Sequence, residues 1–155
     1  MRRIFPGFVV MLLSGFCLLL NSCLEVACID ETEAYVKAGF YSYSTLEQNT
    51  PDSLTLYGIS KETDKIYSSA KITPPALMPL RDSTDYSTFI IRINGVTDTL
   101  EFRYWSYPHL VTKECGYSFF HTIDTIYHTK NAIDSVSSIN RNITTVNGEN
   151  IRIYY

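Results

Sequence analysis

The chain has 155 residues, with 13 Lys and Arg against 16 Asp and Glu, a formal charge of −3. Without Arg2 and Arg3 the balance is 11 basic to 16 acidic residues, or −5, and no Lys/Arg cluster occurs, which argues against binding nucleic acid or anionic lipid through charge. Tyr, Ser and Thr are abundant while Ala and Leu are scarce after residue 25, a balance that favours strands over helices.

Arg2 and Arg3 open the chain, and Ile4 to Leu20 is almost wholly apolar and uncharged. This is the layout of a secretion signal, but Leu20-Asn21-Ser22-Cys23 places a cysteine where an ordinary cleavage site would end. The stretch resembles the lipobox of bacterial lipoproteins, in which the cysteine thiol receives lipid and the chain is cut just before it. The resemblance implies a signal peptide over 1–22, acylated Cys23 as the first mature residue, and a lipidated tether over 23–33. An uncleaved membrane helix is the alternative reading. The apolar run falls short of the roughly 20 residues a span needs, and Pro6-Gly7 weakens its start. Each buried methylene contributes about 0.8 kcal/mol, so the two or three acyl chains of such an anchor would hold the protein to a lipid bilayer permanently. The expected location is the bacterial cell envelope, at the outer membrane, facing either the periplasm or the cell exterior.

After the tether, Ala34 to Tyr43 alternates as a half-buried strand, with Val36, Ala38 and Phe40 inward and Tyr35, Lys37 and Tyr41 outward. Asn49-Thr50-Pro51-Asp52 reads as a turn before a second strand, Ser53 to Ile59, and a short third strand is expected around Ile66-Tyr67. Pro74-Pro75 bars helix, which leaves Leu77 to Leu80 as an edge or irregular strand. The strongest local signal is Thr88 to Ile93, Asn94-Gly95, then Val96 to Trp105. Asn-Gly suits a two-residue type I′ hairpin turn, because both residues tolerate positive φ. That register places Phe89, Ile91, Ile93, Leu100, Phe102 and Tyr104 on one face and Arg92, Thr99, Glu101, Arg103 and Trp105 on the other. It also sets Asp98 opposite Ile91, which favours a longer loop that would free the carboxylate from the core. Pro108 is expected to end this strand. Tyr117 to His128 follows as a long strand with a bulge near Phe119-Phe120, then Ile133 to Ile139, a hairpin turn at Asn147-Gly148, and a closing strand from Asn150 to Tyr155. Short strands at regular spacing predict an all-β, immunoglobulin-like antiparallel sandwich over 34–155.

Four cysteines occur. Cys17 leaves with the signal and Cys23 takes lipid, so Cys28 and Cys115 remain as an even pair in an oxidising compartment, and a disulfide between them is expected.

Catalytic signals are absent. Ser68-Ser69-Ala70-Lys71 fits Ser-x-x-Lys without its partner motifs, and no Gly-x-Ser-x-Gly, phosphate loop or His-Glu-x-x-His occurs. His109, His121 and His128 lack metal-type spacing and are expected at the surface or rim; the odd separation of His121 from His128 puts them on opposite faces of a regular strand. No cofactor or metal is expected. Trp105 and Tyr107 are candidates for an aromatic binding face, a flat apolar platform with polar tips, or for ordinary packing under a loop. Five segments share the form Asp, then Ser or Thr, then an aliphatic residue or Thr: they centre on Ser53, Ser83, Thr99, Thr125 and Ser135. The form resembles the O-glycosylation sequon of exported Bacteroidota proteins. Turn chemistry explains Ser53 and Ser135 equally well, and Thr125, expected inside a strand, poorly.

Leu54-Thr55-Leu56-Tyr57-Gly58-Ile59, Asp98-Thr99-Leu100-Glu101-Phe102, Cys115-Gly116-Tyr117 and the ending Asn150-Ile151-Arg152-Ile153-Tyr154-Tyr155, taken in order, resemble the small Bacteroidota lipoproteins grouped as domain of unknown function 6452. The resemblance spans the mature chain. It implies an envelope location and a β-rich fold, and no activity. Two roles are expected to compete: a non-catalytic module that binds an envelope protein or supports assembly, and a glycan-binding accessory lipoprotein. Aromatic residues gathered on one exposed face would favour glycan. A flat apolar edge strand at Asn150 to Tyr155 would favour assembly by strand addition.

Overall fold

A computed structural model describes residues 27–155; the expected signal peptide and the expected lipidation at Cys23 lie outside the described residues. Among these residues ten strands form: β1 (Tyr35–Tyr41), β2 (Leu54–Gly58), β3 (Tyr67–Ala70), β4 (Ala76–Pro79), β5 (Tyr86–Ile93), β6 (Val96–Thr112), β7 (Gly116–His128), β8 (Ser135–Ser138), β9 (Asn142–Ile143) and β10 (Ile151–Tyr154). They make a four-stranded sheet, β4-β1-β10-β8, packed on a six-stranded sheet, β3-β2-β5-β6-β7-β9. Each sheet buries one pleated face. Val36, Ala38, Phe40, Met78, Ile151 and Ile153 from the first meet Leu54, Leu56, Phe89, Ile91, Leu100, Phe102 and Ile123 from the second. The all-β sandwich expected from strand spacing is the fold observed. One pair departs from the antiparallel rule, since β1 and β10 run parallel.

The Asn94-Gly95 turn is the two-residue form. Both residues have positive φ, Ile93 pairs with Val96, and Phe89 with Leu100. The inward and outward faces of β5 and β6 are those the sequence predicts. The longer loop suggested by Asp98 does not form. Asp98 stays opposite Ile91 and is buried, because the Thr129 hydroxyl and the backbone amides of Asn131, Ala132 and Ile133 all donate to its carboxylate. A loop distant in sequence solvates the charge in place of water.

Four other local expectations are corrected. Pro108 does not end β6. The β5 partner stops at Tyr86 opposite Arg103, so beyond that point, among the described residues, β6 pairs β7 alone and a residue without an N–H sits on an edge with no strand beside it. The β7 bulge falls at Asp124, between the pairs Arg103–Thr125 and Tyr104–Ile123, and not at Phe119-Phe120. Asn147-Gly148 is no hairpin turn, because β9 and β10 belong to different sheets and the segment crosses between them. β10 is an interior strand, paired to β1 on one side and β8 on the other, which withdraws strand addition at Asn150 to Tyr155.

The crossing segment also covers the outer side of β1, so this strand is buried on both faces where one was expected. Lys37 is covered and its Nζ donates to the carbonyls of Thr144 and Val146 at 3.5 and 3.1 Å. Glu149 lies over Gly39, where a Cβ would collide with its carboxylate; that carboxylate instead accepts from Tyr41 Oη at 2.8 Å and Arg152 Nε at 3.0 Å. Asn150 is the fastener of this region. Its Oδ1 accepts from the Lys37 amide at 2.9 Å, and its Nδ2 donates to the carbonyls of Asn140 and Asn142. Asn150→Ala leaves one donor and two acceptors without their partner in a buried setting. We expect a loss of about 2–3 kcal/mol, seen as a lower urea midpoint at unchanged slope. A midpoint equal to that of the unaltered protein would show that water replaces the amide without cost.

Candidate functional site

Past Arg103, among the described residues, β6 is paired on one side only, with β7, and one face of this hairpin looks outward. Alternation puts Trp105, Tyr107 and His109 of β6 on the same outer face as Phe120 and Thr122 of β7. Phe120 is buried at the centre of this patch. Tyr107 meets it edge-on at 6.3 Å, and the His109 ring stacks on it at 4.3 Å. Trp105, 62% exposed, and Tyr107, 40% exposed, are held from below and open above, so the structure brings both predicted aromatics to one surface.

The face extends across β5. Tyr86, exposed, carries the Arg103 guanidinium 5.0 Å from its ring centroid, and Arg103 Nε donates to Glu101 Oε1 at 2.8 Å. Those contacts fix the ring and the cation in one orientation. Beside Trp105 an open groove of about 500 Å³ is lined by Asp82, Ser83, Thr84 and Asp85 together with Tyr86 and Ser106. An aromatic plane next to carboxylates and hydroxyls can stack the apolar face of a sugar ring and accept hydrogen bonds from its hydroxyls. A tighter cleft of about 240 Å³ lies between the ends of β2, β4 and β5. Beneath it Ser87 and the Arg81 backbone are engaged by Tyr104. Ser87 Oγ and Tyr104 Oη lie 2.8 Å apart, the Arg81 amide donates to Tyr104 Oη, and Tyr104 Oη donates to the Arg81 carbonyl.

The histidines divide. His109 is exposed on the aromatic patch. His121, expected at the surface or rim, is buried against the Tyr104 ring, with its Nδ1 2.8 Å from Ser106 Oγ. Burial, opposed by the Asp82 charge, pushes its pKa down and so favours the neutral ring. The Asp124 bulge brings His128 to the same face as His121 rather than the opposite one. The two remain about 20 Å apart along the strand. Among the described residues no group of three or more His, Cys, Asp or Glu is placed to hold a metal ion. Ser68 lies in the edge strand β3 and Lys71 just beyond it, so this stretch is not the helix start that Ser-x-x-Lys chemistry uses.

Of the candidate modification residues, Ser83 is exposed in the β4–β5 turn beside the Trp105 groove. Ser53, Thr99, Thr125 and Ser135 are half-buried. Asp98 and Asp124 have structural work of their own, the first as the buried acceptor and the second as the bulge residue, and this accounts for an Asp-Thr pair inside a strand.

Cys28 and Cys115 are bonded, with Cα atoms 4.7 Å apart, so the expected disulfide is present. It ties the N-terminal segment to the turn of the β6–β7 hairpin, and Ser118 Oγ adds a hydrogen bond to the Thr32 carbonyl. The sequence pointed to the pair and to both aromatics. It missed Tyr86, His109 and Phe120 as parts of the same face, a grouping that depends on how far β6 continues past Pro108.

No curated protein and no solved structure matches the chain. The family resemblance is matched over residues 53–155, which leaves Cys28 and β1 outside it, and on that match the chain belongs to DUF6452, a family of unknown function.

Proposed function

We propose that this protein is an exported lipoprotein of the bacterial cell envelope in Bacteroidota, anchored through acylated Cys23, and that it is a non-catalytic module whose aromatic face binds a glycan. The observation that carries the reading is the open groove beside Trp105, where an exposed indole adjoins Asp82, Asp85 and the hydroxyls of Ser83 and Thr84. Of the two features set out as discriminators, exposed aromatics do gather on one face, and the closing strand is not an edge. A protein partner is the second reading. It is favoured by the free edge of β6 from Trp105 to Thr112, which has backbone groups available for an added strand.

Trp105 is the only tryptophan and reports its own site. Its emission should change when the protein meets a bound species on a glycan array. Trp105→Ala should weaken that binding by about tenfold or more, the loss of a central aromatic anchor. A silent array, together with a membrane crosslink to a protein that survives Trp105→Ala, would discard glycan in favour of the second reading.

A further inference from the structure

We propose that the turn end of the β6–β7 hairpin rests in the lipid–water interface and sets the domain on the membrane tip-down. The inference rests on the lipid anchor proposed above. Cys28 is bonded to Cys115, and only five residue steps separate Cys28 from Cys23. Five extended steps reach at most about 17 Å. With Cα atoms 4.7 Å apart across the bridge, the hairpin turn is held within about 22 Å of the acylated residue. The whole domain could otherwise swing on the eleven-residue tether; the bridge shortens it to a leash on one element.

The leash ends where the surface is apolar. Leu110 is 47% exposed, Tyr117 73% and Phe119 42%, and cross-strand pairing gathers them with Pro108 on one side of the hairpin near its turn. Ile29, beside the bridge, is 91% exposed. A water-facing strand end gains nothing from such residues. At a headgroup layer, tyrosine sits with its ring among the acyl ends and its hydroxyl in water, and Leu, Ile and Phe go deeper. Charge does not drive the contact. Lys113 and Glu114 offset one another at the turn, and Asp30, Glu31 and Glu33 on the tether are acids that stay in solvent. The contact therefore suits a neutral, zwitterionic surface and weakens as anionic lipid is added. Trp105 stands about 23 Å further along β6 from the turn, so the glycan groove stays clear of the bilayer and faces away from it.

The test uses full-length acylated protein in phosphatidylcholine vesicles with bromine on the acyl chains. Tyr117→Trp in a Trp105→Phe background puts a reporter at the turn, and the unaltered protein reports from Trp105. Emission from the reporter at position 117 should fall by about half or more, while Trp105 keeps its emission. Protein that floats with the vesicles but is quenched at neither position overturns the tip contact and leaves the anchor standing. Equal quenching at both positions means the hairpin lies flat and overturns the tip-down orientation. Protein that does not float overturns the anchor and this inference together.

Discussion

Replacing Cys28 and Cys115 together by serine should remove up to about 4.6 kcal/mol of stability. The bridge spans 87 positions, and the chain-entropy model gives a loop of that length this upper figure. A domain of this size is stable by roughly 5–15 kcal/mol, so the loss is a large share of the total. The structural consequence is also local. Residues 28–34 are held to the body by the bridge and by the Ser118–Thr32 hydrogen bond, and one hydrogen bond worth about 1 kcal/mol does not hold seven residues against their conformational entropy. The segment should fray, and the hairpin turn should lose its fixed position. Urea unfolding with and without reductant measures the first effect, and hydrogen exchange over residues 28–34 and 110–118 the second. Coincident unfolding curves would mean that the bridge closes a loop the unfolded chain already keeps compact.

Asp98→Ala is expected to cost about 3–5 kcal/mol, because three backbone amides and a hydroxyl lose a buried charged acceptor at once. The loop from Thr129 to Ile133 is shaped around that carboxylate, and Ile133, buried in the core, should lose its anchor. The pH response has a definite direction. Burial alone would raise the Asp98 pKa, but the Thr129 hydroxyl and the amides of Ala132, Asn131 and Ile133 outweigh it and hold the group below 3.8. The unfolded chain therefore takes up this proton first. The stability Asp98 contributes is complete above the unfolded value and drains away as pH falls through the folded one. His121 acts earlier and in the same sense. Its folded pKa is depressed by burial, so the unfolded chain protonates first as pH drops through 6.5 and stability declines from there. Urea midpoints from pH 7 to pH 3 should fall in two stages. Asp98→Asn should lower the curve above the second stage, converge with it below, and so remove that stage alone. A second stage that survives in Asp98→Asn would assign it to other carboxylates.

Local chemistry determined the parts of this fold that depend on near neighbours. Alternation set the inward faces of β1, β5 and β6, because a strand has a period of two and only one face of each sheet can reach the core. Asn94-Gly95 fixed the hairpin register through the positive φ that both residues accept. Cysteine arithmetic named the bridge. The errors all fell where a distant segment supplied what the local sequence lacked. Asp98 read as a misfit opposite Ile91 because its four donors lie more than thirty residues away. Lys37 read as solvent-facing because the segment that covers it arrives from beyond residue 143. Pro108 read as a strand end because nothing local says that β5 has already stopped and left one edge of β6 free. Sheet order decided the rest. Placing β10 between β1 and β8 made the closing strand an interior one, and carrying β6 past Arg103 joined Tyr86, His109 and Phe120 to the Trp105 and Tyr107 face. Pairing partners are chosen by the packing of whole sheets, and that choice is made in three dimensions.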